Sequence, residues 1–134
     1  MQYPIAIEWG DDQTATGIAI PDIPGAITAG DTIEQAYEMA VEVAQIQLEE
    51  LANAGKEIPM PRSIAEHRKN PEFKDWGWGF INIDITPYLG KTEKVNVTLP
   101  GHVIRQIDKY VSTHDIKSRS AFIANAALEK LTHA

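Results

Sequence analysis

Six residues in the last third of the chain pair hydrogen-bonding side chains with a spacing that suits a nucleic acid. Lys94, Asn96 and Thr98 alternate with Val95, Val97 and Leu99. A period of two places the polar set on one face of a strand and the apolar set on the other. Asparagine can hold adenine through two bonds, lysine reaches guanine or a phosphate, and threonine offers a hydroxyl and a methyl. Such a face is suited to base edges in the major groove. Ser118, Arg119 and Ser120 open a later helix, where free N–H groups and the positive end of the helix dipole suit a phosphate. That contact positions a protein on DNA without reading sequence. Ser118 also has the chemistry of a plain helix cap, and the two roles are compatible.

Other chemistries are less well supplied. Glu8, Asp84 and either Glu38 or Glu42 are the carboxylates from which a two-metal nuclease centre would be built. The run Ile83-Asp84-Ile85 is simple alternation, which favours solvated carboxylates on a half-buried sheet. His67, His102, His114 and His133 show no helical i, i+4 pair, so no metal site is expected. There is no cysteine, hence neither a disulfide nor a thiolate ligand. No phosphate-cradling glycine loop and no nucleophile signature is present, and no cofactor is expected.

The elements that must position the six residues are few. Lys94–Leu99 reads as a strand. Val103, Ile104, Ile107, Tyr110 and Val111 form the stripe of a first helix, and Phe122, Ile123, Ala126, Ala127 and Leu131 that of a second. A β-α-α piece of this size is near the limit below which a chain needs oligomerisation or staples to fold. A lone strand also leaves its backbone groups unpaired. Two copies that pair their strands solve both problems, and a two-stranded ribbon fits the major groove. Homodimerisation through the C-terminal segment is therefore expected, with tetramers as a further step.

The preceding residues read as β-β-β-α-β. Tyr3–Trp9 and Thr14–Ile20 form a hairpin across Gly10-Asp-Asp-Gln13. Pro21-Asp-Ile-Pro-Gly25 cannot sit inside a ladder, and Ala26–Ala29 is a short third strand. Asp31 is the expected cap of a long helix, with Glu34 completing a capping box. The helix packs through Ile33, Ala36, Tyr37, Ala40, Val41, Ala44, Leu48, Leu51 and Ala52, and Gly55 stops it. Residues 58–75 form a proline-rich loop with one helical turn at Ser63–Glu66. The fourth strand, Trp76–Ile85, packs through Phe80 or Ile81, Ile83 and Ile85. The expected division is residues 1–86, a linker at 87–91, and residues 92–134, an α+β architecture in two parts.

The 134 residues contain 43% hydrophobic and 23% charged side chains, a globular composition. The N-terminus lacks the features of a signal peptide, and no apolar run nears the roughly 20 residues that span a bilayer. A cytoplasmic protein without membrane partners is expected. Net charge is −7, unevenly placed. Residues 91–134 carry seven cations against four carboxylates, +3, which leaves −10 for the rest. This asymmetry implies an anionic partner for the tail and a cationic one for the body.

The motifs taken together resemble the HicB antitoxin family over nearly the whole chain. In the body they are Ile20-Pro-Asp-Ile-Pro-Gly-Ala26, Thr28-Ala-Gly-Asp-Thr32, Glu34, Ala36 and Ala40, and Ile58-Pro-Met-Pro61. In the tail they are Val95-Asn-Val-Thr-Leu-Pro100, Ile107-Asp108 and Ser118-Arg-Ser120. The strand at Lys94–Leu99 fits the ribbon-helix-helix subclass. The resemblance implies a truncated RNase H-like body without nuclease activity. It implies that this body neutralises a HicA-type toxin, a small basic mRNA-cleaving protein. The tail would bind the operator of its own operon, with Lys94, Asn96, Thr98, Ser118, Arg119 and Ser120 on DNA. Asp22, in the Pro21–Gly25 turn, is the candidate for facing the toxin. Ala121 stands where such tails often carry a capping carboxylate. Two alternatives compete: a stand-alone repressor whose body senses a small ligand, and a metal-dependent RNase H-like nuclease using Glu8 and Asp84.

Overall fold

The computed structural model describes residues 1–132; His133 lies outside the described residues. The chain divides into two compact units, Met1–Lys91 and Thr92–Ala134.

The first unit is a four-stranded antiparallel sheet in the order β3-β2-β1-β4, built from β1 (Gln2–Glu8), β2 (Thr16–Ala19), β3 (Ile27–Gly30) and β4 (Gly77–Asn82). β1 is central, and Tyr3 to Ile7 are buried without alternation because both faces of the sheet are covered. Pro4 is tolerated there because the ladder to β2 pairs only Ala6–Glu8 and leaves Pro4 with β4 alone. On one face Tyr3, Ile5, Ile18, Ile81 and Ile83 pack against Ala36, Ala40, Ala44 and Leu48 of α1 (Ile33–Asn53). Alanines at three of these positions let the helix approach the sheet closely. On the other face Ala6 and Ala19 pack with Phe73, Trp76 and Trp78. The expectation of one covered face is thus corrected. The proline-rich segment, with α2 (Ile64–His67) and a 3-10 turn at Pro71–Phe73, forms a thin second layer.

The ends of α1 show how local chemistry is chosen. The cap is Thr32, not Asp31. Thr32 has the extended conformation a cap requires (φ −126°, ψ 162°), and its hydroxyl accepts from the Gln35 amide. Gln35, not Glu34, reaches back, accepting from the Asp31 amide. At the far end Gly55 has φ +70°, its N–H donates to the Ala52 carbonyl, and that of Lys56 donates to Leu51. These paired bonds make the expected glycine stop a Schellman motif. In β4 the packed residue is Ile81, opposite Tyr3. Phe80, opposite Pro4, points to the other face and stays 51% exposed.

The second unit contains α3 (Gly101–Thr113) and α4 (Arg119–Thr132). Tyr110 meets Phe122 edge-on, with 5.3 Å between ring centroids, and stacks on His114. Among the described residues of this unit Ile107 alone is buried. Ile104, Val111, Phe122 and Ile123 are half-buried, whereas Val103, Tyr110, Ala126, Ala127 and Leu131 are exposed. Residues 91–100, which include the expected strand Lys94–Leu99, form no ladder among the described residues. Strand hydrogen bonds need a second strand, and the described residues of this unit contain no other.

Candidate interaction sites

The body's most elaborate polar arrangement centres on Asp22. Short bonds in the turn, Ile23 N–H to the Ile20 carbonyl and Ala26 N–H to Ile23, fold the Pro21–Gly25 segment back on itself. Gly25 takes φ +78°, against the side chain of Gln47. This turn aims the Asp22 carboxylate inward, where its side chain is only 2% exposed. One oxygen lies 2.9 Å from His67 Nε2, and the other accepts from the Arg62 backbone N–H at 3.1 Å. The Arg62 guanidinium adds a longer contact, 3.4 Å. His67 is itself buried and stacks on Trp78. Nearby, Tyr3 donates its hydroxyl to the Pro59 carbonyl at 2.7 Å. Burial, and then the Asp22 carboxylate, push the Tyr3 phenol up to about 12.

Asp22 therefore pins the segment that covers the second sheet face. Its carboxylate is enclosed, not presented to a partner, because a buried charge must be paired where it stands. His67, named in the sequence only as an isolated histidine, is the buried partner of Asp22. It lies 45 positions from Asp22, and no local pattern links a turn aspartate to a histidine that far away.

The nuclease constellation does not assemble. The register pairs Gln2 with Asn82, so Asp84 lies beyond the start of β1 and Glu8 at its other end. Six strand residues separate those ends by about 20 Å, against the roughly 4 Å between metals in a two-metal centre. Asp84 instead is held by Thr86, whose side chain and then backbone N–H keep its carboxyl below the usual range. Among the described residues no group of three or more His, Cys, Asp or Glu could hold a metal ion.

In the tail, Asn96, Arg119 and Ser120 come together around an open hollow of about 260 Å³. Its apolar lining is Val95, Val97, Leu99, Ile104 and Ile123. Lys94, Thr98 and Ser118 are exposed and stand outside that lining. Val95 is 75% and Val97 64% exposed, an unusual amount of uncovered valine. Ser118 caps α4, its hydroxyl accepting from the Ala121 amide at 3.0 Å. Arg119 is engaged within the unit by a two-bond clamp on Asp108, at 3.0 and 2.9 Å. The Arg119 hydrogen bond holds the Asp108 carboxyl low, and the same pairing raises the guanidinium. At the start of α4, Arg119 thus braces α3.

The chain is thus built as two compact units, and comparison with known proteins supplies the family. The model of the HicB-like antitoxin of bacterial toxin-antitoxin systems matches residues 3–127. The chain belongs to this family, which is one of antitoxins and not of enzymes. It is 34% identical over 135 residues to an uncharacterised 14.9 kDa protein from the rep-hol intergenic region of Haemophilus phage HP1, and the match covers all of both chains. Antitoxin HicB 2 of Photorhabdus laumondii is 36% identical over 66 residues, 49% of this chain and 46% of that one. Among solved structures, the antitoxin HicB of Burkholderia pseudomallei superposes with a TM-score of 0.73 at 34% identity, over 98% of each chain. A structure described as a HicA3 and HicB3 toxin-antitoxin complex contains a chain matched over 99% of its length by 63% of this one, at 30% identity and a TM-score of 0.52. No helix among the described residues is long and apolar enough to cross a membrane.

Proposed function

We propose that this protein is a cytoplasmic antitoxin and autorepressor. Its body, read as a truncated RNase H-like fold, binds and neutralises a HicA-type mRNA-cleaving toxin. Its tail pairs with that of a second copy as a ribbon-helix-helix and binds the operator of its own operon. The observation that carries the reading is the likeness to a HicB antitoxin along both units. Toxin binding is assigned to the body by charge, −10 against a basic toxin. It is supported by the complex, whose matched chain corresponds to 63% of this one, the same share as the separate N-terminal domain of the Burkholderia antitoxin.

The tail's exposed valines support pairing. Strand addition between two copies would satisfy the unpaired backbone of residues 94–99 and cover Val95 and Val97, with Lys94, Asn96 and Thr98 left for the groove. The first amides of α4 are placed for a phosphate, and Ser118 and Ser120 flank them. Arg119 serves this contact by fixing the start of α4 against Asp108.

Two measurements test the proposal. Co-expression with the neighbouring toxin should yield a stable complex and stop messenger cleavage; free toxin activity in the presence of excess antitoxin refutes the first half. In a gel-shift titration on the operator, Asn96→Ala should cost about 1–3 kcal/mol of sequence discrimination. Unchanged affinity for operator over random DNA refutes the second.

A further inference from the structure

α1 carries Glu34, Glu38, Glu42, Glu49 and Glu50 and not one lysine or arginine between Ile33 and Asn53. All five are exposed, and among the described residues none is in an ion pair. Glu34 suits the positive N-terminal end of the helix. Glu49 and Glu50 approach the negative end, where the last turn holds no cation, and this placement works against the macrodipole. A local conflict of this kind marks a position kept for something other than folding.

The same helix has a second apolar stripe. Met39 is 39% and Ile46 48% exposed, with half-buried Val43 between them. Their spacing of four and three puts them on one flank, in line with Glu50. Two contacts locate that flank. A Cβ on Gly79 of β4 would strike the Tyr37 hydroxyl, and Gln47 lies against Gly25 in the turn before β3. Going round the helix from Tyr37 through the core to Gln47, the next surface is the Met39–Ile46 stripe, so it borders β3. β3 is an edge strand, paired with β2 alone, and its Ile27 is 68% exposed. An apolar helix flank and an open strand edge thus meet along one border, with Glu50 in line and Glu42 and Glu49 one step further round the helix, adjoining Met39 and Ile46 on the solvent side. The body's five cations lie elsewhere in sequence, all between Lys56 and Lys74, and residues 64–76 cover the opposite sheet face.

We propose that the α1–β3 border is the docking surface for a basic protein, the toxin of the function proposed above, on which this assignment rests. Met39 and Ile46 seat an apolar anchor of that partner. Glu42, Glu49 and Glu50 meet its cations, and the free backbone groups of β3 are available to it.

The test uses the full chain and the toxin encoded beside it, made as a catalytically inactive variant. The triple variant Glu42→Lys, Glu49→Lys, Glu50→Lys should weaken binding at least about tenfold and flatten its salt dependence. The variant Glu8→Lys, Asp12→Lys, Glu72→Lys makes the same change in net charge on other exposed positions and should retain most of the affinity. Thermal unfolding guards against misfolding, since lysines near the C-terminal end of α1 should leave its stability equal or higher. Equal affinity of both triple variants for the toxin overturns the docking surface while the antitoxin reading stands. Failure of the unaltered chain to bind the toxin overturns both.

Discussion

In residues 1–91 the central strand has neighbours on both sides and cover on both faces, whereas in residues 92–132 the most regularly alternating segment has no partner strand. β1 is an almost unbroken apolar run, and the chain provides β2, β4, α1 and the proline-rich layer to enclose it. The tail alternates cleanly at Lys94–Leu99, and among its described residues one side chain, Ile107, is buried. A sequence whose apolar pattern exceeds what its own chain can cover has assigned the rest of the task to another molecule. The body shows the same principle on a smaller scale along the α1–β3 border.

The difference can be broken or sharpened by substitution. The largest effect is expected from Val97→Asp. It should convert the proposed dimer into a monomer in sedimentation equilibrium and abolish the proposed operator binding, while the body's unfolding is unaffected; a variant that stays dimeric removes the contrast. Leu48→Ala empties the centre of the α1–sheet core, and urea denaturation should show a loss of about 2–5 kcal/mol. Asp22→Ala should cost less, about 1–3 kcal/mol by the same measurement. The His67 ring nitrogen and the Arg62 amide lose their partner.

A smaller effect follows from Tyr3. Folding raises its pKa from 10.0 to about 12, so the neutral phenol's contribution is complete below pH 10 and is lost as pH rises toward 12. Denaturation on either side of that window should show this alkaline loss, and Tyr3→Phe should remove it. The smallest effect belongs to the Asp108–Arg119 clamp. The Asp108 carboxyl is held below its ordinary 3.8. Its contribution is therefore present above that value and fades as pH falls below it. Because both partners are exposed, Arg119→Ala should shift the tail's unfolding slightly at neutral pH and not at all in acid.

Much of the first unit was legible before any coordinates. The β-β-β-α-β order, the apolar stripe of α1 and the Gly55 stop all follow from short-range rules, because periodicity and backbone sterics act over a few residues. Asp22 shows where such rules end. Its turn was legible, but its partners Arg62 and His67 come from a segment that lies against it only after the chain folds. The choice of Thr32 over Asp31 as cap was likewise invisible, since adjacent residues share the capping chemistry and backbone angles decide between them. For the DNA-facing candidates, the sequence placed Arg119 at a helix start and could not show that Asp108 already holds it.

By itself, then, the sequence determined the body's order of elements and the charge imbalance between the two parts, since both follow from residue type and near-neighbour spacing. Only the tertiary structure decided which carboxylates are enclosed and which are offered. It turned Asp22 inward, drew Glu8 and Asp84 to opposite ends of β1, and laid the Met39–Ile46 flank of α1, with Glu50, beside an open strand edge. Burial and charge pairing depend on residues distant in the chain meeting in space, and no local pattern records that meeting.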